Sequence, residues 1–289
     1  MQDGQNLFDN ATAYAGEWQI DETLNTLFAQ GDFGAIVIGI ENGGGLRIDE
    51  YSPWVNTSYI EGGEGDAYIQ FIAETLKPYV DANYRTRPEP QYNALIGSSL
   101  GALISTYGGV KYSGTFSKIG SFSPAYWFVE SELNNYITSS SADLSSMRIY
   151  HVAGINESTT MSSNIQQVDA NLKMNGLLSV NSLVKLDTYG QHNENYWKGE
   201  FAAAYQWLFM NEVLTVQNAN LKKLKIKVEK NQIFVSGLSS KTQGEIMDST
   251  GRLIETIQLN NGWNSFRSNL THGVYYLKTK DQNLRFVAK

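Results

Sequence analysis

Ser99 is the residue of this sequence best suited to nucleophilic chemistry, because it lies between two glycines in Gly97-Ser98-Ser99-Leu100-Gly101. The apolar residues Leu95 and Ile96 precede this stretch, and a segment that can form a helix, 102–107, follows it. A Gly-x-Ser-x-Gly turn between a strand and a helix is so tight that the serine backbone is strained and the residues two positions away must be small. A plain glycine-rich turn would share the pentapeptide, but the flanking elements favour the catalytic interpretation.

A base must accompany such a serine, since a hydroxyl is a weak nucleophile near neutral pH. The chain has three histidines. His192 follows the last predicted strand of the first part of the chain and is the candidate base. His151 lies inside a predicted buried strand, which is typical of a hydrogen-bonded core residue. His272 lies near the C-terminus, remote in sequence from Ser99.

An acid must hold the base in the correct tautomer. Glu157 heads the loop that follows the preceding predicted strand, and it is the candidate. Its rivals are Asp169, on the outer side of a predicted helix, and Asp187, inside a predicted strand. Glu194 is too close in sequence to His192 to reach around the imidazole ring.

The tetrahedral oxyanion of an acyl transfer needs two preorganised backbone donors. The amide of Leu100, directly after the candidate nucleophile and at a helix N-terminus, is the first candidate. The turn Asp3-Gly4-Gln5 is available for the second, so the amide of Gln5 is predicted to complete the pair.

The elements that must position these groups alternate between helical and strand patterns. A helix-period pattern covers 17–28, and a continuous apolar run at 35–40 is typical of a strand buried on both faces. The alternation predicts an α/β fold with a parallel sheet covered by helices on both faces. The later predicted elements are a helix at 66–83, strands at 119–122, 148–154 and 180–189, and helices at 133–138, 161–175 and 197–213.

Loops at the carboxyl ends of the strands are where open α/β sheets bind their ligands. Arg47 and Glu50 lie beyond the glycine loop at 41–45 and are predicted substrate contacts, although an Arg–Glu pair beside aromatics is as often simple loop packing. Tyr126 and Trp127 in an aromatic loop, and Trp197 shortly after His192, are predicted to contact substrate as well.

Charge divides the chain into two parts. From Leu221 onward twelve Lys/Arg stand against five Asp/Glu, a net charge of +7, and the other ten Lys/Arg and twenty-four Asp/Glu give −14. This asymmetry predicts two folding units, 1–213 and 221–289, joined by a linker at 214–220. Neither part has the charge distribution of a nucleic-acid binder. No apolar run is long enough to cross a bilayer.

Several separate stretches resemble the esterase family of α/β-hydrolases that includes feruloyl and acetyl-xylan esterases, S-formylglutathione hydrolases, enterochelin-type esterases and mycolyltransferases. They are MQDGQNLFD, GIENGGGLRIDEYSPW, YNALIGSSLGALIS, SFSPAYWF, VAGINE and GQHNENYW. The resemblance spans about residues 1–210 and implies Ser99 as nucleophile, His192 as base, Glu157 as acid and Gln5 as the second oxyanion donor. It also implies that no metal or organic cofactor is used. The absence of cysteine excludes disulfides and thiolate metal sites.

The family pattern places a central strand, and two antiparallel strands, before the Asp-Gly-Gln turn, whereas Met1 stands at the end of that strand here. The expectation is therefore an N-terminally truncated α/β-hydrolase fold. The absence of a signal peptide agrees with that expectation, and loss of the central strand puts the oxyanion hole in doubt.

The C-terminal part follows a different pattern, with short alternating segments between turn residues, which predicts a small all-β sandwich. The segments 248–252 and 272–276, with Lys289 at the terminus, resemble the sorting domain of the type IX secretion system of Bacteroidota. That resemblance implies the secretion machinery as a partner of 221–289 and export to the cell surface or the medium. A carbohydrate-binding module is the alternative, but Trp263 stands almost alone.

The sequence thus predicts an exported serine carboxylesterase that acts through an acyl-enzyme, on an ester such as a feruloyl or acetyl carbohydrate. Two alternatives remain. An acyltransferase of the same fold would use a second alcohol in place of water, and a surface binding protein would have lost catalysis with its missing strand.

Overall fold

The computed structural model describes residues 1–209 and, towards the C-terminus, 224–229, 232–238, 241–248, 252–267, 269–279 and 283–288. The chain forms two compact units, Met1–Asn211 and Glu212–Lys289. The predicted linker, 214–220, lies outside the described residues. None of the helices in the described part of the chain has the length and hydropathy needed to span a bilayer.

The first unit alternates helices and strands. Its strands are β1 (Val55–Asn56), β2 (Glu61–Gly62), β3 (Ala94–Ser98), β4 (Lys118–Phe122), β5 (Arg148–Gly154) and β6 (Ser182–Asp187). Its helices are α1 (Ile20–Ala29), α2 (Arg47–Tyr51), α3 (Gly65–Phe71), α4 (Lys77–Asn83), α5 (Leu100–Lys111), α6 (Glu130–Ser139), α7 (Met161–Met174) and α8 (Glu194–Phe209).

Strands β3 to β6 form one parallel sheet in sequence order, and β1 and β2 form a separate antiparallel hairpin. Neighbouring strand residues belong to different cores, since Leu95 and Ile149 lie in one apolar cluster while Ile96 and Tyr150 lie in the other. Side chains alternate between the two faces of a strand, so these clusters cover opposite faces of the sheet. α5 and α7 pack on the first face, and α1 and α8 on the second. The predicted α/β class is confirmed.

The strand predicted at 35–40 is wrong over most of its length. Only Ile40 forms a bridge, with Gln2, and the side chain of Ile36 is 49% exposed. An apolar run favours a strand, but the strand forms only where backbone donors and acceptors find partners. Here Met1 and Gly4 supply them, because Met1 O accepts from Ile40 N at 3.0 Å and Gly4 N donates to Ile40 O at 2.8 Å.

The predicted helices are found, but several of their bounds differ by one to three residues, as in α1 (Ile20–Ala29, predicted at 17–28) and α6 (Glu130–Ser139, predicted at 133–138). The helix predicted at 66–83 is continuous but contains one wide π turn, Ile72–Leu76, between α3 and α4. The last helix begins at Glu194, three residues before the predicted start, and its predicted end at 210–213 lies outside the described residues.

The second unit has its own apolar core. β10 (Leu253–Leu259), β9 (Thr242–Asp248), β12 (Gly273–Thr279) and β13 (Asn283–Ala288) form one antiparallel sheet, and β11 (Gly262–Arg267), β8 (Gln232–Leu238) and β7 (Lys225–Glu229) form another. Val235 from one sheet and Ile246 and Leu277 from the other are fully buried in one cluster. The predicted all-β organisation is confirmed, and β13 is a strand that the sequence pattern did not reveal.

Candidate active site

Ser99 occupies a strained turn between β3 and α5. Its φ of 56° and ψ of −123° are unfavourable for any residue other than glycine. Its amide donates to Phe122 O at 2.9 Å, which fixes the turn to the end of β4. Gly97 and Gly101 are required, since a Cβ on Gly97 would lie 2.6 Å from the carbonyl oxygen of Gly101. The chain thus presents one hydroxyl at the carboxyl edge of the sheet.

The turn that contains Gln5 packs directly against this serine turn. A Cβ on Gly101 would lie 3.0 Å from Gln2 Cβ, and Gln2 N donates to Ile96 O at 3.0 Å. Within the described residues, the amides of Leu100 and Gln5 donate no backbone hydrogen bond. Both predicted oxyanion donors therefore lie at the same edge of the sheet as Ser99, with their N–H groups unused.

Asp3 is held in a left-handed conformation at the start of this turn, with φ of 55° and ψ of 51°. Its carboxylate accepts from Asn42 Nδ2 at 2.7 Å and from Arg47 Nε and Nη2 at 2.8 and 2.9 Å. Its amide donates to the hydroxyl of Tyr51 at 2.9 Å. Arg47 contacts Asp3 and thereby fixes the turn before Gln5, and its contact with substrate stays a prediction.

Glu157 and His192 form the central contact of the site. Glu157 Oε2 lies 2.8 Å from His192 Nδ1, and the side chain of Glu157 is 1% exposed while that of His192 is 41% exposed. The second carboxylate oxygen accepts from Gly154 N at 2.6 Å and from the Ser123 hydroxyl at 2.9 Å. A buried carboxylate with all these partners is a fixed acceptor, and it leaves the Nε2 side of the imidazole for chemistry.

Trp197 and Ser123 hold Glu157 in place. The indole N–H of Trp197 donates to Ser123 Oγ at 2.8 Å, and the indole and the His192 ring are nearly perpendicular with their centroids 5.2 Å apart. Ser123 itself has a φ of 42°. Trp197 is only 4% exposed, so its predicted role as a substrate contact is wrong: its one donor is already used within the protein.

Two glycines bring the acid and the base together. A Cβ on Gly154, at the end of β5, would lie 2.0 Å from Gly190 O, and a Cβ on Gly190 would lie 2.6 Å from Gly154 Cα. No other residue type allows the loops that carry Glu157 and His192 to approach this closely.

The rival acids have other partners. Asp187 accepts from the hydroxyl of Tyr196 at 2.8 Å and pairs with Lys185 at 3.3 Å. Asp169 accepts from Lys173 at 2.7 Å. Glu194 is buried, which raises the pKa of its carboxyl, and it accepts from Asn6 Nδ2 at 3.4 Å. None of the three contacts His192 among the described residues.

The other histidines lie elsewhere. His151 is fully buried in β5, where burial lowers its pKa to about 4, and His272 belongs to the second unit. The Ser99 hydroxyl makes no hydrogen bond to any residue in the described part of the chain, His192 included. Catalytic hydrogen bonds are often long or poorly aligned before substrate binds. Consecutive residues link the two parts of the site, since Phe122 O accepts from Ser99 N and the Ser123 hydroxyl donates to Glu157.

The other predicted substrate contacts differ in how exposed they are and in the partners they have. Tyr126 is fully buried and bonds to Thr106, so its predicted role as a substrate contact is wrong. Glu50 accepts from Gly43 N at 2.7 Å and so fixes the glycine loop. Trp127 is 46% exposed and remains a predicted contact.

Sequence reasoning did not find the roles of Asp3, Ser123 and Arg47 in the site. The stretches MQDGQNLFD, GIENGGGLRIDEYSPW and SFSPAYWF contained all three, but a left-handed serine or aspartate has no signature in residue type alone. Among the described residues, the only group of three or more His, Asp or Glu side chains with ligand atoms within 4.8 Å of one another is Glu17, Asp21 and Glu22, and such exposed acidic clusters are common without a metal.

The fold and this site define a protein of the α/β-hydrolase class. The chain matches, over residues 1–208, the family model described as "Putative esterase", and it belongs to that family. It is 32% identical over 222 residues to the uncharacterized protein YbbA of Bacillus subtilis, a match that covers 72% of this chain and 84% of that protein. The likeness therefore includes most of both proteins.

Solved structures show the same fold at low identity. A ferulic acid esterase superposes with a TM-score of 0.54 at 16% identity, over 71% of this chain and 82% of that one. The BES protein from Bacillus cereus superposes with a TM-score of 0.50 at 18% identity, over 72% and 80%. The enterobactin esterase from Shigella flexneri gives 0.53 at 18% identity over 65% of this chain, and the chain spans only 47% of that protein's length. In another structure of that esterase, the match covers 38% of the esterase chain.

Proposed function

We propose that this protein is a serine carboxylesterase that works through an acyl-enzyme. The observation that carries the proposal is the 2.8 Å contact between the buried Glu157 carboxylate and His192 Nδ1, at the sheet edge where Ser99 stands. Family membership supports ester hydrolysis, and the geometry supports the residues that perform it.

In the proposed reaction, His192 Nε2 takes the hydroxyl proton as Ser99 Oγ forms a bond to the ester carbonyl carbon. The amides of Leu100 and Gln5 stabilise the negative oxygen of the tetrahedral intermediate. The intermediate collapses with loss of the alcohol, which takes the proton from His192. Water then attacks the acyl-enzyme with His192 again as base, and the acid leaves with Ser99 restored. Glu157 orients the imidazole and stabilises its charged form.

Substitution of the nucleophile tests the proposal. Ser99→Ala abolishes hydrolysis of p-nitrophenyl acetate and labelling by a fluorophosphonate, while Ser98→Ala, a serine one residue earlier in β3, retains both. Circular dichroism checks that both variants fold. Full turnover by the Ser99→Ala variant would reject the serine mechanism, and an acyl-enzyme that reacts with added alcohols faster than with water would show an acyltransferase instead.

We propose further that the natural substrate is a carbohydrate-linked ester, such as a feruloyl or acetyl ester, and that the second unit directs export by the type IX machinery. The likeness of 1–208 to the family and the antiparallel sheets of the second unit support these proposals. In a Bacteroidota host, the full chain behind a signal peptide is expected in the medium, whereas a chain ended at residue 211 stays in the periplasm. Equal release of both would reject the sorting role.

A further inference from the structure

The hairpin formed by β1 and β2 presents large apolar side chains to solvent at its tip. Tyr59 is 55% exposed and Ile60 is 84% exposed. The strands themselves are only Val55–Asn56 and Glu61–Gly62, so the turn at 57–60 makes up half of the hairpin. Exposed single apolar residues are ordinary, but Tyr59 lies beside a third exposed residue of this kind, Trp127.

Three aromatic rings meet at this place. The Tyr59 ring lies 6.0 Å from Trp127 and 5.7 Å from Phe128, and the last two rings lie 5.8 Å apart. Phe128 is 5% exposed, whereas Trp127 is 46% exposed. Asn56 Nδ2 also donates to Phe128 O at 2.5 Å, which anchors the hairpin. The buried ring therefore supports two rings whose faces and edges remain open to a ligand.

Ile60 adopts a backbone conformation that its side chain disfavours. Its φ is 58°, and a β-branched residue at positive φ is a rare outlier, whereas glycine or asparagine adopts this conformation with less strain. The side chain gains almost no burial in return. The fold therefore gives no reason for isoleucine at this position, but an apolar ligand would.

The cluster is close to the proposed nucleophile. Ala125 N donates to Ser99 O at 3.0 Å, and Trp127 follows two residues later. The segment that carries Trp127 is thus fixed to the serine turn. No charged side chain takes part in the three ring contacts.

We infer that Tyr59, Ile60 and Trp127 form the binding wall for an aromatic group of the ester substrate, and that this hairpin sets the selectivity of the enzyme. The inference rests on the proposed esterase function. The aromatic group belongs to the acyl part or to the alcohol part of the ester, and the two sources are separated by the choice of substrate.

The test compares methyl ferulate, with an aromatic acyl group, and benzyl acetate, with an aromatic alcohol, against ethyl acetate, which has no ring. Tyr59→Ala and Trp127→Ala are expected to lower kcat/KM for one of the two aromatic esters at least 10-fold while the value for ethyl acetate changes less than 2-fold. The ester affected assigns the source of the ring. Tyr84→Ala is the matched control, since Tyr84 is also 55% exposed in the same unit.

Ile60→Gly gives a second, independent measurement. Because it removes strain, it is expected to raise the melting temperature and to lower kcat/KM for the same aromatic ester. Equal losses for all three esters, unchanged selectivity in the Tyr59 and Trp127 variants, or a lower melting temperature of Ile60→Gly would overturn the inference. If the wild type hydrolyses none of the esters, or Ser99→Ala hydrolyses them as well as the wild type does, the proposed function fails first.

Discussion

Arg47 donates two parallel hydrogen bonds to Asp3, from Nε to Oδ1 at 2.8 Å and from Nη2 to Oδ2 at 2.9 Å. The fork of the guanidinium matches the carboxylate and fixes its orientation as well as its position. Since Asp3 precedes the proposed donor amide of Gln5 by two residues and has a left-handed backbone, this ion pair holds the donor turn against the serine turn.

Arg47→Gln is expected to lower kcat about 10- to 100-fold with KM changed less than about 2-fold. The reason is that the amide of Gln5, if displaced by about 1 Å, stabilises the transition state less well. The affinity for a boronic acid that mimics the tetrahedral intermediate falls in parallel. Arg47→Lys restores little, since an ammonium cannot form the fork. Arg85→Gln, on the same unit, is the control. A raised KM at constant kcat would instead support direct substrate contact by Arg47.

Trp197→Phe removes the indole donor to Ser123 and retains an aromatic ring beside His192. One lost hydrogen bond of about 1 kcal/mol predicts a fall of roughly 5-fold in kcat/KM, because Glu157 is held less firmly. The pH–rate profile is expected to change in shape, which a packing defect alone does not cause. Trp263→Phe in the second unit is the control. An unchanged profile would show that Ser123 holds Glu157 equally well without the hydrogen bond from the indole.

Gly154→Ala is expected to destabilise the first unit by roughly 1–3 kcal/mol, since the added methyl would meet Gly190 O at 2.0 Å. The loops of Glu157 and His192 must then separate, so activity falls further than stability does. Gly199→Ala is the matched control, as nothing lies within 4 Å of its Cβ and it stands inside α8. There the change is expected to add about 0.5–1 kcal/mol. Urea unfolding measures both, and a Gly154→Ala variant as stable as wild type contradicts the prediction.

The buried His151 is expected to make the folded protein less stable at mildly acidic pH. Burial lowers its pKa from 6.5 to about 4, with Asp169 opposing and Lys173 assisting the shift, so the folded protein keeps the ring neutral. The unfolded chain binds a proton below pH 6.5, so stability is complete above that pH and is lost as the pH falls towards about 4. His151→Gln is expected to flatten this part of the curve of unfolding free energy against pH. An equally steep curve in the variant would assign the loss to other groups.

Much of the first unit could be predicted from its sequence, since a short continuous apolar run favours a strand buried on both faces, whereas apolar residues at helical spacing favour a helix with one apolar face. β5 begins and ends where the pattern placed it, at 148–154. The run at 35–40 shows the limit of this reasoning, because pairing depends on which backbone lies alongside and not on the apolar character of the run.

The candidate site was predicted in part. The contact between Glu157 and His192 follows from where loops meet at a parallel sheet, so chain order was enough to suggest it. The supporting residues were misjudged, since Tyr126 and Trp197 were expected to face a ligand and are buried. Exposure of an aromatic in a loop depends on tertiary packing, which residue type does not encode.

Asp3, Ser99 and Ser123 all hold positive φ angles, at 55°, 56° and 42°. Directed evolution towards heat resistance would therefore favour glycine at these three positions, since each such exchange relaxes the main chain. The stabilised variants are expected to lose turnover, because these three side chains are the ones proposed to orient the donor turn, attack the ester and hold the acid. Selection for thermal stability alone would therefore yield a stable protein that has lost its activity.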